Sequence, residues 1–417
     1  MKIEKKLWII LFAFGIFAIC FSGWIFRQST AREKLFWDNT IRCETKELKE
    51  GEIKSENIAL PEDFDVPKSI LFKTTHTIAE VWLDGEKIYE YGNEADAPGF
   101  MKTPGSCWHI VDIPGDSSGK NLEVRIIPVY EGYYGNEVSL VYGTRGDCIL
   151  KILTDCLGIL VISCGILFAA VICILLYCGA ARRKRSDKTE AKIEIFLNLG
   201  FFSLLVAVWT LVQCGFLQFL IPDGRTLYFV EYFSLFLFPV PFNFLLYDIC
   251  KSRYHKGALI FSILYLTNMA VDVLLQCTGI IDMSRLLSVI HVIMVANVVY
   301  TVVIILYEAG KKENDVAQKF RYPMCVVMGF GMAEMIFYYL RRFEQISILL
   351  SMGTMLFIIM LIWIQVSQYY DQYIQKQKVI YLQKIANMDM LTEAMNRNAY
   401  EDMVKYLDEG EIKLSTT

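Results

Sequence analysis

The chain has 417 residues, 54% of them hydrophobic, with a mean hydropathy of +0.38 and a formal net charge of −4. That apolar content excludes an ordinary soluble protein of this length and indicates several membrane-spanning segments. The near-balanced charge gives no argument for a nucleic-acid partner. Most of the twelve cysteines, Cys20, Cys156, Cys164, Cys173, Cys214 and Cys325 among them, lie in apolar runs, where a thiol is a small, easily buried side chain. No C-x-x-C pair occurs, so a metal site is not expected.

The first apolar run, Leu7 to Phe26, follows Lys2, Lys5 and Lys6. Trp24 and Phe26 stand where a signal peptidase requires small residues, so residues 1–26 read as an uncleaved signal-anchor transmembrane helix. Residues 27–151 are then an extracytoplasmic domain. Its beginning, 32–56, is charged and aperiodic, consistent with a short helix or a stalk between strands. Ser69-Ile-Leu-Phe-Lys-Thr-Thr, Ile78-Ala-Glu-Val-Trp-Leu and Asn121-Leu-Glu-Val-Arg-Ile-Ile carry strand-forming residues between turn clusters such as Asp84-Gly85 and Pro114-Gly115-Asp116. Short strands so punctuated predict a β-sandwich. Only Cys43, Cys107 and Cys148 fall in this domain, which permits at most one internal disulfide.

The order Val81-Trp-Leu-Asp-Gly-Glu-Lys-Ile-Tyr-Glu-Tyr-Gly, then Trp108-His-Ile-Val-Asp-Ile-Pro, resembles the galactose-binding-like jelly roll. The resemblance implies a central strand pair that presents one face to a ligand or a neighbouring domain. Aromatic faces stack on sugar rings, so Trp82, Tyr89, Trp108, His109, Tyr130, Tyr133 and Tyr134 are candidates for a face that binds a small molecule or carbohydrate. The competing reading places Trp82 and Tyr89 in the core and Tyr133-Tyr134 against the membrane, because aromatics dominate small sandwich cores. His76 and His109 are too few to argue for a metal.

Seven further apolar runs follow, at about 152–178, 194–216, 227–249, 257–276, 285–307, 322–340 and 345–366. Pro239 and Pro241 interrupt the third. Basic residues gather on one set of ends: Lys2, Lys5, Lys6, Arg182-Arg183-Lys184-Arg185, Lys251, Arg253, Lys256, Lys311, Lys312, Lys319 and Arg321. The positive-inside rule puts those ends and both termini in the cytoplasm of a multi-pass plasma-membrane protein; the Arg341-Arg342 pair dissents. The unit 152–366, placed after an external β-domain and before a polar helix, resembles the bacterial seven-transmembrane receptors with diverse intracellular signalling modules. Within its spans Asp272, His291 and Glu334 are ionisable, and such groups usually face the bundle interior. A receptor would use them as interhelical contacts. A transporter, the alternative, would use them as a proton path, yet the runs show no internal repeat.

From Ser367 the chain turns polar, while Tyr370, Ile374, Tyr381, Ile385 and Met388 keep a seam at coiled-coil spacing. Residues 367–388 therefore read as a cytoplasmic signalling helix and a homodimer contact. Then comes Asp389-x-Leu391-Thr392-x-x-x-Asn396-Arg397, which resembles the opening of a GGDEF (diguanylate cyclase) domain. The resemblance implies that the Asp-x-Leu-Thr turn fastens the signalling helix to the output domain, with Asp389 pairing Arg397 and Leu391 in the core. The family's Gly-Leu after the Thr is Glu393-Ala394 here. Residues 389–417 are shorter than the roughly 40 residues that build a core. They contain none of the metal-binding, guanine-contacting or GGDEF-loop residues that the family places downstream. The expectation is a truncated output domain with no catalytic residues and no cofactor in this chain, Mg²⁺ and GTP belonging to the catalytic part. A histidine-kinase sensor is disfavoured because no His lies beyond His291.

Overall fold

The computed structural model describes residues 40–42, 54–60, 66–93, 97–130, 139–184, 194–311, 313–340 and 347–387, and single positions near 400. The chain forms two compact units, one ending at Ile358 and one from Ile359 to Thr417.

The first unit opens with eight strands: β1 (Thr40–Arg42), β2 (Lys54–Ala59), β3 (Lys68–Thr75), β4 (Thr77–Leu83), β5 (Glu86–Tyr91), β6 (Ser106–Ile113), β7 (Asn121–Pro128) and β8 (Ser139–Gly143). They pair antiparallel in two four-stranded sheets, ordered β1-β8-β3-β6 and β2-β7-β4-β5. Alternation decides which side chains meet between them. Ile70 and Phe72 of β3 and Val111 and Ile113 of β6 face Ala79, Val81 and Leu83 of β4 and Leu122, Val124 and Ile126 of β7 in one apolar core.

A single residue, His76, carries the chain from one sheet to the other, and its φ of 53° lies in the left-handed region that few side chains adopt. Asp84 and Gly85, with φ of 48° and 85°, make the two-residue turn of the β4–β5 hairpin, as that dipeptide predicts. The charged stretch at the start of the domain supplies β1 and β2 among its described residues.

Helices follow: α1 (Arg145–Lys184), α2 (Glu194–Gln213), α3 (Gly224–Leu237), α4 (Pro239–Ile249), α5 (Lys256–Cys277), α6 (Leu287–Gly310), α7 (Asp315–Tyr339) and α8 (Ile348–Asn387). Asp223 starts α3 by accepting the Arg225 and Thr226 N–H groups. Pro239 stands first in α4, where its missing N–H costs nothing, so the third run is two helices rather than one. Five segments are long and apolar enough to cross a membrane: Arg145–Gly179, Glu194–Gln213, Gly224–Ile249, Arg253–Cys277 and Met283–Gly310. They make this a membrane protein. The other two expected runs are helical but weaker candidates. α7 carries Asp315, Lys319, Arg321, Pro323 and Glu334, and the apolar part of α8 is only Ile348–Ile364. The expected anchor, Leu7 to Phe26, lies outside the described residues.

Candidate functional site

The built feature of the first unit is the joint between the β-sheets and the near ends of the helices. Two backbone approaches define it. Gly105, in the loop between β5 and β6, has φ of 88°, and a Cβ there would strike the carbonyl of Gly224 at the start of α3. A Cβ on Gly224 would in turn strike the Tyr91 hydroxyl and, at 2.9 Å, the Pro104 carbonyl oxygen. Only glycine at both positions lets loop and helix touch. The same loop drives Met101, 3% exposed, into the aromatic cluster of Trp209, Tyr228, Tyr232 and Phe236 at the head of the bundle.

Around that plug lies a buried polar node. The Tyr130 hydroxyl and the Lys102 N–H (3.3 Å) donate to one oxygen of the Asp282 carboxylate; the Gln276 amide donates to the other at 2.7 Å. The Gln276 amide nitrogen also donates to the Phe100 carbonyl at 2.6 Å. Its oxygen accepts the Met283 N–H at 3.0 Å and the Tyr228 hydroxyl at 3.2 Å. The Tyr228 oxygen accepts the Ser284 N–H at 3.0 Å. These bonds tie the β-domain to the C-terminal end of α5 and the turn Met283–Leu286 before α6.

His76 stands beside them, buried, with Nδ1 2.9 Å from the Thr103 hydroxyl and its ring edge-on to Tyr228 at 5.7 Å. Burial pushes its pKa down to about 4, against the opposing pull of the Asp282 carboxylate, so it sits neutral in the joint. Burial and then the Asp282 hydrogen bond push the Tyr130 phenol far above its ordinary value.

The outward face of β3, β6 and β8 completes the joint. Leu71, Trp108, Ile110 and Val141 pack on Cys148, Ile152, Cys156 and Ile159 of α1 and on Cys214 and Phe216. β6 is the edge strand of its sheet. There the Gln218 side chain serves as a one-residue neighbour: its oxygen accepts the Trp108 N–H at 2.8 Å and its nitrogen donates to the Trp108 carbonyl at 2.5 Å. Trp108 also lies against Gly215, whose Cβ would sit 2.8 Å from the indole.

The expected aromatic face is therefore divided. Tyr89 and His109 are core: His109 is 1% exposed, its nitrogens lie 2.7 Å from the Thr74 hydroxyl and 2.9 Å from the Tyr89 hydroxyl, and burial lowers its pKa to about 3. Burial likewise raises Tyr89 to about 12. Trp108 and Tyr130 face the helices. Trp82 stands alone on the open face of the second sheet, its indole N–H donating to Glu80 at 2.9 Å and the Arg125 guanidinium 4.4 Å from the ring centroid. Tyr133 and Tyr134 lie outside the described residues. Cys107 and Cys148 carry free thiols, so they are not bridged to each other; Cys43 lies outside the described residues.

The ionisable groups of the spans are each engaged locally. Asp272 accepts from Asn268 one turn away at 2.6 Å. His291 Nδ1 lies 2.9 Å from the Tyr339 hydroxyl. Glu334 accepts the N–H groups of Ser347 (2.5 Å) and Leu350 (2.9 Å), which caps the start of α8. Sequence reasoning missed Glu308, 1% exposed, which gathers the Lys251 and Ser252 N–H groups and the Asn314 amide at the far end of the bundle. It also missed Asp282, Gln276 and Gln218; the only signal was a polar residue at the end of an apolar run.

In the second unit Tyr370, Ile374 and Tyr381 are exposed along α8. Asp389, Leu391, Thr392 and Arg397 lie outside the described residues; the Asn396 carbonyl accepts the Tyr400 N–H at 3.0 Å. Among the described residues no three metal-ligating side chains converge. The bonds of the Asp282–Gln276 node fix the β-domain on the helix ends. No protein-family model matches the sequence, and neither a curated protein nor a solved structure is significantly similar to it.

Proposed function

We propose that this protein is a membrane receptor of the seven-transmembrane type, whose extracytoplasmic jelly roll passes a signal through the helices to a cytoplasmic helix and a GGDEF output domain. The observation that carries this reading is the joint. A β-domain plugged into the bundle by Met101 and bonded through Asp282 cannot shift without moving the ends of α3, α5 and α6. The sheet order β1-β8-β3-β6 over β2-β7-β4-β5 agrees with an eight-stranded jelly roll. Helices α7 and α8 raise the traverses from five to seven, and the charge pattern puts the β-domain outside. The exposed stripe Tyr370, Ile374 and Tyr381 suits a homodimer seam. A carbohydrate or other small molecule outside is the ligand class, and cyclic di-GMP the product of the complete output domain. A transporter would need its intramembrane acids free to exchange protons, whereas Glu334 serves as a helix cap.

The test is photocrosslinking in native membranes, with benzoylphenylalanine placed at Val379. Loosening the joint by Tyr130→Phe should change the yield of crosslinked dimer several-fold. Unchanged yield in a variant whose β-domain has become more protease-sensitive would sink the receptor reading.

A further inference from the structure

Two cysteines of the packed joint surface stand in contact with each other. Cys156, on α1, and Cys214, in the turn after α2, are 4% and 6% exposed and carry free thiols. The Cys156 sulfur donates to the carbonyl of Cys214 at 2.5 Å, and the two thiols also interact side chain to side chain. The accepting carbonyl belongs to the residue that bears the second thiol. The contact brings the Cys156 sulfur to the backbone of Cys214, the neighbourhood a disulfide between them requires.

The environment differs from that of the other cysteines. Cys164, Cys178 and Cys277 are exposed on the helices, and Cys148 donates to the Ser69 carbonyl at 3.7 Å. At Cys214, by contrast, the thiol is buried against Cys156 and donates to the Leu211 carbonyl at 3.3 Å. Lys73, on the facing sheet, is exposed, with Nζ 5.6 Å from the Trp108 ring centroid.

We infer that Cys156 and Cys214 form a covalent modification site, a dithiol that closes to a disulfide by exchange with a disulfide-class oxidant. The Cys214 thiolate attacks one sulfur of the oxidant and expels the other as a thiolate, leaving a mixed disulfide. The Cys156 thiolate then attacks the Cys214 sulfur and releases the second half. The two cysteines lose two electrons and two protons; the oxidant gains both and becomes two thiols. The closed bond staples α1 to the α2 turn directly beneath Trp108 and Gln218, where the β-domain rests. The availability of an oxidising compartment at this corner rests on the proposed orientation; the dithiol itself does not.

The test uses the full chain in nanodiscs with oxidised glutathione as the probe, followed by denaturation, trapping of free thiols with N-ethylmaleimide and peptide mapping by mass spectrometry. The expected result is a linked Cys156–Cys214 peptide pair, two hydrogens lighter than the free peptides, as the dominant cross-link, and its loss on return to dithiothreitol. In Cys156→Ser the link disappears and Cys214 becomes alkylated or glutathionylated. Complete alkylation of both cysteines after exposure to oxidised glutathione would overturn the inference, as would links shared indiscriminately with Cys148. Because the wild-type measurement decides, a misfolded variant leaves the question answerable. Oxidised glutathione applied to spheroplasts or to inverted vesicles separates the two readings: linkage only in inverted vesicles keeps the dithiol and removes the proposed orientation.

Discussion

The two sheets of the β-domain share a core, a strand count and antiparallel pairing, yet their outward faces are unlike. On β3, β6 and β8 helices cover the outward Leu71, Ile110, Trp108 and Val141, while the outward Lys73 and Asp112 stay exposed. On β4, β5 and β7 the outward Glu80, Trp82, Lys87, Glu90, Glu123 and Arg125 form an open face laced by surface ion pairs, and only Ile78 and Ile127 of the described outward positions are packed, on Val129 and Tyr130. The inward positions cannot tell the sheets apart, since both must fill one core. The outward ones record what each sheet meets: apolar surface with one edge-capping amide on one side, and a charged lattice around a single indole on the other. The covered face therefore holds the energetic weight of the first unit, and substitutions there should dominate.

The largest effect is expected at the backbone approach. Gly105→Val forces a β-branched residue into left-handed φ and against the Gly224 carbonyl. The combined strain and overpacking should cost roughly 3 kcal/mol or more. Gly119, with φ of 70° but open space around it, is the control: Gly119→Val carries the backbone strain alone. Thermal unfolding in nanodiscs should show a clearly larger fall for Gly105→Val. Equal falls would mean that loop and α3 do not meet.

Next comes the polar node. Tyr130→Phe and Asp282→Asn should each cost about 1.5–3 kcal/mol, the range for a buried bond to a charged group. The double variant should cost markedly less than the sum, because both remove one interaction. Additive losses would show that the two side chains act separately. Two buried histidines, His76 in the joint and His109 in the sandwich core, set the pH response. His76 and His109 titrate near 4 and 3 in the fold and near 6.5 when unfolded. Below pH 6.5 the unfolded chain binds protons that the fold refuses, so stability is complete above 6.5 and declines as pH falls toward 4. The slope should approach about 1.4 kcal/mol per unit for each histidine. His76→Asn should remove about half of it while the His109 share remains. An unaltered slope would place His76 in water.

Much of the local architecture was legible. Asp84-Gly85 announced its hairpin, Pro239 its helix break, and the apolar runs their helices, because each depends on neighbours within a few residues. β1 and β2 were not, since a three-residue strand such as Thr40–Arg42 exists only by pairing with Val141 and its neighbours a hundred residues on. The joint was hidden for the same reason. Tyr130 stood out as an aromatic, but its partner Asp282 lies 152 residues away, and Gln218 meets Trp108 across 110. Glu334 read as a mid-span acid because the sequence does not reveal that α8 begins beside it.

The smallest stability effect, and the sharpest use of the comparison, belongs to Trp82. Its partners are partly exposed, on the open face of the sheet: Glu80 holds the indole N–H, and Arg125 lies over the ring while bonded to Glu123 at 2.7 Å. Exposed pairs of this kind are worth about 1 kcal/mol or less, so Trp82→Ala should leave unfolding nearly unchanged. That tolerance makes the variant a clean probe of binding. Moving Arg125 aside would cost a ligand little, and the freed indole face is one on which a sugar ring can stack. Oligosaccharide binding to the full chain, measured by calorimetry, should then be lost in Trp82→Ala and kept in Trp108→Phe, which preserves packing on the covered sheet. The opposite pattern would move recognition to the joint, where a ligand must part the sheet from the helices in order to bind, and so would itself be the signal.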